Sequence, residues 1–251
     1  MGWGDEVMSM GRLERFHECT GKRGAILNDI GRPRDCVLWH GHPSWDANAT
    51  SGIKDGSGCR PYITRWETWQ GKPRAVFNDV YRPRAGKIYL TQAERDSVTI
   101  DGPFIVVNPT VKANASPNKQ WGLDRWREAI KGLPLPVYQL GVDAGEVIKG
   151  ARFFRTESIR HAAAVIEKAA LVMTNEGGLH HIAASFERPA VVVFGAYVNP
   201  LVTGYPFHTN LHVQTADGYC GRYAPCEHCN QAMAQITPDM VRMEAMRILG
   251  A

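Results

Sequence analysis

The chain has 251 residues, of which 44% are hydrophobic and 22% charged; this excludes wholesale disorder and leaves room for two modest α/β domains or one large one. No apolar run approaches the ~20 residues of a membrane-spanning helix, and the opening MGWGDEVMSMGRL lacks the basic start and apolar core of a signal peptide, so a cytoplasmic protein is expected. Six cysteines without a secretory signal argue against a disulfide framework, and a net charge of +4 permits an anionic partner without demanding one.

Apolar residues Val7, Met8, Met10, Leu13 and Phe16 recur at roughly helical spacing over residues 5–19, and Gly21 is a suitable helix stop. Residues 25–27 and 36–39 read as short strands. Residues 40–74 are rich in Gly, Pro, Ser and Trp and lack periodicity, as long functional loops do. Residues 75–77 and 87–90 read as strands again, and 92–102 have the character of a linker. Arg32, Arg34, Lys72, Arg74, Arg82, Arg84 and Lys87 gather in this half, either as a solvated surface or as an acceptor groove for something anionic. Cys19, Cys36 and Cys59 are isolated. Neither an internal repeat nor a low-complexity segment is expected.

A second unit starts with a strand at 104–107. Helix 123–131, strand 136–140, helix 158–169, strand 171–174, helix 179–186 and strand 190–194 then alternate, which predicts a parallel sheet covered by helices. A last helix is expected at 238–249, with Thr237 as N-cap and Pro238 in its first position.

The segment Asn175–Gly195, NEGGLHHIAASFERPAVVVFG, is the most informative. Gly177 and Gly178 carry no Cβ and let a ligand approach the backbone. The free amides and positive dipole end of the following helix suit an anion, above all a phosphate. The plainer alternative is a turn whose glycines serve tight packing. Asn108 and Thr110, at the end of a strand, lie where open α/β sheets bind ligands. Lys119, after the loop Ala115–Asn118, is either solvated or a phosphate counter-charge. Cys220, Cys226, His228 and Cys229 form a Cys-x-x-Cys knuckle with a third thiol nearby. Three Cys plus His228, His208 or His212 could close a structural zinc site.

The 175–195 segment resembles the signature of the heptosyltransferase-like glycosyltransferases, glycosyltransferase family 9. Glu176 stands where the family has Asp, Gly177 where it has Ser, Gly178 at its Gly and His181 at its His; Ala183, Ala184, Pro189 and Gly195 follow in step. Gly2-Trp3-Gly4-Asp5 resembles the family's N-terminal Gly-x-Gly-Asp, Lys119-Gln120-Trp121 its Lys-x-Trp, and Cys226–Cys229 with Met233, Ile236, Pro238 and Val241 its C-terminal tail. Glu176 keeps the family's carboxylate but adds a methylene. The family's buried first strand before Gly-x-Gly-Asp is missing, which suggests a truncated chain or translation from further upstream, and the chain is shorter than is usual for the family.

The resemblance implies a GT-B-type α/β fold, two Rossmann-like domains facing across a cleft, with the N-terminal one reduced. Residues 1–98 would bind acceptor and 99–251 the nucleotide-diphosphate sugar. It implies inverting transfer needing no cofactor at the catalytic centre, with Asp5 as base rather than a mere helix cap. Asn108, Thr110, Lys119, Glu176, Gly177, Gly178 and His181 would form the donor site, while His180 packs or faces solvent. ADP-heptose is the donor of the best-known members. The acceptor is a glycan, a lipopolysaccharide-like molecule or a modified DNA base. The rival readings are a nucleotide-sugar epimerase on the same scaffold and a nucleic-acid-binding module built on the Cys/His cluster.

Overall fold

The structure, a computed structural model, describes residues 2–56 and 60–251; Cys59 lies outside the described residues. Helix α1 (Trp3–Thr20) starts after Gly2 and stops at Gly21, whose φ of 67° is the left-handed conformation that ends many helices. A short strand β1 (Ala25–Leu27) pairs in parallel with β2 (Gly52–Lys54). An antiparallel hairpin follows, β3 (Ile63–Trp69) and β4 (Lys72–Phe77), turning through Gln70 and Gly71, both at positive φ. Helix α2 (Gln92–Asp96) is capped by Thr91, whose hydroxyl accepts from the Glu94 amide.

Several local expectations are corrected in this half. Residues 37–39 form a 3₁₀ turn, not a strand, and bury Leu38 and Trp39 side by side, which a strand with alternating faces does not do. Residues 87–90 join no sheet. The expected linker contains α2, and the expected irregular loop contains β2 and β3.

The larger part is a parallel sheet with helices on both faces. Its elements are β5 (Ile105–Asn108), α3 (Leu123–Ala129), β6 (Val137–Gly141), β7 (Arg152–Arg155), α4 (Ile159–Lys168), β8 (Leu171–Asn175), α5 (Gly178–Ser185), β9 (Ala190–Gly195), α6 (Pro200–Thr203), β10 (Thr209–His212), α7 (Glu227–Gln235) and α8 (Pro238–Leu249). As expected, Thr237 caps α8, accepting from the Met240 amide. The strand order is β10-β9-β8-β5-β6-β7. That is the doubly wound order of dinucleotide-binding sheets, with the order reversing between β5 and β8. Among the described residues no helix is long and apolar enough to cross a membrane.

The strands are apolar on both faces because both are covered. Ile105, Val107, Leu171, Met173, Val191 and Val193 pack with Trp121, Trp126 and Val241 on one side. Val106, Val172, Val192 and Phe194 pack on the other, in a cluster that continues through Ala163, Val165 and Ile182 to Val7, Met10 and Leu13 of α1. Helix α1 is therefore fastened to the sheet by a shared core.

The expectation of no repeat is also corrected. Gly71–Arg84, GKPRAVFNDVYRPR, repeats Gly21–Arg34, GKRGAILNDIGRPR, fifty positions later. The two copies are used alike. Asn28 accepts from the Ile30 and Arg32 amides, and Asn78 from the Val80 amide, so each Asn braces its own turn. The final arginine of each copy reaches an acid on α1: Arg34 pairs with Glu6, and Arg84 with Glu14 and Glu18.

Candidate active site

A cleft of about 300 Å³ opens at the carboxyl ends of β5 and β8. This is the switch point at which such sheets bind ligands. Asp5, Asn108, Thr110, Lys119, Glu176, Gly177, Gly178 and His181 all line it. The structure thus brings together residues from four separated segments.

On the sheet side the two glycines differ. A Cβ on Gly177 would meet nothing closer than 3.9 Å, leaving the backbone open to the cleft. A Cβ on Gly178 would stand 3.1 Å from the Cβ of Trp3, so this glycine serves the close approach of α5 to α1. The Gly177 amide donates to His180 Nδ1 at 3.1 Å, and His180 Nε2 lies 3.0 Å from the Thr203 carbonyl, which sets the neutral Nε2–H tautomer. His180 therefore packs, and the amides left for an anion are those of Gly178 and Leu179 in the first turn of α5. His181 Nδ1 bonds the Tyr205 hydroxyl at 2.7 Å. Burial, helped by the charge of Lys119, pushes His181 down to about 3. It is a neutral wall of the cleft, not a counter-charge.

Lys119 forms an ion pair with Glu176, and its ammonium lies 4.9 Å from the Tyr197 ring centre. Both members face the cleft, Glu176 almost fully buried. An ammonium has three donors, so Lys119 can keep Glu176 and still meet a phosphate. The Asn108 amide donates to the Thr110 carbonyl at 3.2 Å and shapes its own loop.

On the opposite wall, Asp5 lies in the first turn of α1. Its Oδ2 accepts from the Gly2 amide at 2.7 Å, so Asp5 also braces the helix start, and Arg60 lies 3.6 Å from the same oxygen. Its Oδ1 accepts from the Tyr62 hydroxyl. Burial and the negative charge of Asp5 push the Tyr62 phenol well above its usual range. Beyond Asp5 the cleft continues into a groove lined by Arg60, Lys112, Tyr223, Trp66 and Lys72.

The basic cluster is not that groove. Arg34, Arg74 and Arg84 are engaged with Glu6, Glu67 and the Glu14/Glu18 pair, and only Lys72 of the cluster lines it. Arg60, Tyr62, Lys112 and Tyr223 are the site residues that sequence reasoning missed. Arg60 and Tyr62 fall in the stretch whose irregular composition did mark it as a functional loop.

Cys220, Cys226, His228 and Cys229 converge, with all four ligand atoms within 4.8 Å of one another. The Cys220 and Cys226 sulfurs are 3.7 Å apart, close to the ~3.8 Å edge of a tetrahedron with Zn–S bonds of about 2.3 Å. The Cys220–Cys229 separation is shorter, 3.0 Å. Hydrogen bonding from Cys229 favours the Cys220 thiolate and pulls its pKa down. The donor set fits a thiolate-binding metal. His208 and His212 do not join it: His208 Nε2 faces the Arg188 carbonyl and His212 bonds Tyr219.

This cluster closes a strap that holds the cleft. Asn118 donates to the Arg222 and Ala224 carbonyls at 2.9 and 2.8 Å and accepts from the Cys226 amide at 3.0 Å. Arg74 donates to the Cys220 carbonyl at 3.0 Å, and the Tyr223 amide to the Pro73 carbonyl at 3.0 Å. The loop carrying Lys119 and the hairpin are both tied to residues 220–226.

Residues 156–232 match the family model of glycosyltransferase family 9 (heptosyltransferase). Among solved structures, the bacterial iron-containing dodecameric glycosyltransferase TibC from enterotoxigenic E. coli H10407 superposes with a TM-score of 0.69 at 15% identity, over 100% of this chain and 76% of TibC. The iron-containing heptosyltransferase TibC in complex with ADP-D-beta-D-heptose gives a TM-score of 0.66 at 17% identity, over 99% and 74%. E. coli ADP-heptose lipopolysaccharide heptosyltransferase II gives 0.48 at 22% identity; 66% of this chain is covered, and the chain spans about half of that enzyme, 54%. No curated protein is significantly similar in sequence. Residues 156–232 are thus similar to glycosyltransferase family 9 (heptosyltransferase), and the chain as a whole has the GT-B-type fold seen in TibC.

Proposed function

We propose that this protein is an inverting glycosyltransferase that moves a sugar from a nucleotide diphosphate to an acceptor hydroxyl. The observation that carries this reading is the convergence on one cleft of Asp5 from α1 with Lys119, Glu176 and the start of α5 from the sheet. Residues 99–251 hold the donor and residues 1–98 face the acceptor. Asp5 takes the proton of the acceptor hydroxyl as its oxygen attacks the anomeric carbon. The bond from that carbon to the diphosphate oxygen breaks, and the nucleoside diphosphate leaves into the field of Lys119 and the α5 amides. Glu176 holds Lys119 in place.

The heptosyltransferase TibC has been seen with ADP-D-beta-D-heptose, so ADP-heptose is the first donor to test. The acceptor is a glycan or a lipopolysaccharide-like molecule; nothing in the cleft speaks for a modified DNA base. The cysteine cluster holds a structural metal, zinc or iron; TibC is itself iron-containing. It takes no part in the bond changes, and a thiolate site without disulfides suits the cytoplasm. The rival readings gain nothing: the thiols are buried and present no surface to nucleic acid, and no feature of the site favours epimerisation over transfer.

Thermal shift with nucleoside diphosphates and nucleotide sugars tests the donor site. A true ligand at 100 times its Kd adds about 2.7 kcal/mol of stability. Absence of any shift with ADP, UDP, GDP and their sugars would remove the reading.

A further inference from the structure

We infer that Tyr62 is a positioning residue of the transfer reaction, holding the carboxylate of Asp5 in the orientation that receives the acceptor proton. The inference rests on the reading of Asp5 as the base. Tyr62 stands at the foot of the β3–β4 hairpin, outside the sheet that forms the donor site. Its backbone carbonyl accepts from the Asn78 amide at 2.9 Å, and the Asn78 side chain donates to the Pro61 carbonyl at 3.0 Å. The second copy of the repeated turn thus anchors the tyrosine from behind.

From that anchor the hydroxyl reaches Asp5 Oδ1. Arg60 Nη1 lies 3.5 Å from the Tyr62 oxygen and Arg60 Nη2 3.6 Å from Asp5 Oδ2. Polarity therefore runs one way, from Arg60 through the phenol to the carboxylate. A half-buried phenol beside a carboxylate keeps its proton, so Tyr62 can only donate to Asp5 and cannot replace it as base. Without this bond the Asp5 side chain would keep only the Gly2 amide at short range and could rotate about its χ angles. A reacting group that is displaced by about 1 Å loses up to ~100-fold in rate.

A phenol that merely tied the hairpin to α1 would behave differently, and a double-mutant cycle separates the two roles. Turnover is read as ADP released from ADP-heptose with water as acceptor, in which the water oxygen attacks the anomeric carbon, ADP departs and Asp5 takes the proton. ADP affinity and melting temperature are read alongside. Tyr62→Phe should lower kcat roughly 10- to 100-fold and leave ADP affinity unchanged. In the Asp5→Asn background the same substitution should cost nothing further, because its partner no longer accepts a proton. Unchanged kcat in Tyr62→Phe, or an equal fractional loss in both backgrounds, would overturn the role of Tyr62 while leaving Asp5 as base. Wild-type turnover in Asp5→Asn would overturn both.

Discussion

Gly4 of α1 lies directly against His181 of α5: a Cβ added to Gly4 would stand 2.3 Å from the imidazole Cδ2. The helix bearing Asp5 and the helix that begins at Gly178 therefore meet here through the His181 ring alone, with no side chain on the α1 side. His181 cannot step aside easily, because it is buried and bonded to Tyr205.

Gly4→Ala tests this contact. Alanine favours a helix interior over glycine by up to ~1 kcal/mol, whereas overpacking a fixed ring costs about 1–3 kcal/mol. The second effect should win, because 2.3 Å is far inside contact distance. The expected outcome is a melting temperature lower by several degrees, at about 2–4 °C per kcal/mol, with a fall in turnover as the walls move apart. An unchanged or raised melting temperature would show that the helices have slack.

The parts of this molecule legible in the sequence are those set by local rules. Thr237-Pro238 announces α8, and the apolar run Ala190–Phe194 announces β9. The glycines before α5 mark the end of the sheet at which the cleft opens. The hairpin was hidden because Ile63–Trp69 carries Arg, Glu and Thr among its tryptophans and shows no clean apolar alternation. Its turn signal, Gln70-Gly71, became readable only with the positive φ of both residues. Tyr62 and Arg60 were invisible as site residues for another reason: their partner Asp5 is more than fifty positions away, and nothing local records the contact.

Lys119 and Glu176 form a half-screened pair whose rupture has two separable effects. Lys119→Met leaves Glu176 charged and buried, so stability should fall toward the lower end of the about 3–5 kcal/mol typical of a broken buried pair, since the lysine side chain remains 20% exposed. ADP affinity should drop roughly 10- to 100-fold, the worth of a hydrogen bond to a charged group. Adding Glu176→Gln should restore stability but not affinity. Calorimetric titration with ADP and a denaturation curve measure the two; wild-type ADP affinity in Lys119→Met would exclude a phosphate contact.

Three histidines on or beside α5 are kept neutral by burial: His180 well below its usual range, His181 down to about 3 and His208 down to about 4. The unfolded chain binds these protons near pH 6.5 and the folded chain does not, so stability rises with pH across that window and is lost as pH falls below about 6.5. Each such histidine contributes a slope of about 1.4 kcal/mol per pH unit between its two values. His208→Gln can keep a donor near the Arg188 carbonyl while removing one titrating group. Denaturation between pH 6 and pH 4.5 should show a slope shallower by close to one proton, and an unaltered slope would mean that His208 does not enter the acid transition.

The cysteine cluster should make donor affinity depend on metal. Cys220 and Cys226 bound the strap whose carbonyls and Cys226 amide hold Asn118, the residue next to Lys119. Metal binding at three thiols and His228 would fix both ends of that strap, and its free energy would be shared with local folding. Protein purified without added metal should contain close to one equivalent of zinc or iron; less than a few tenths would reject the site. Removal by a chelator, or Cys226→Ser, should lower the melting temperature and weaken ADP binding by raising the entropy of the Lys119 loop. Turnover at saturating donor should suffer less, because Asp5 and Tyr62 lie on the other wall. The hairpin is tied to the same strap through Arg74 and Tyr223, so some loss of kcat should follow the loss of affinity rather than precede it. Full loss of metal with unchanged ADP affinity would show that the strap holds its shape through its hydrogen bonds alone.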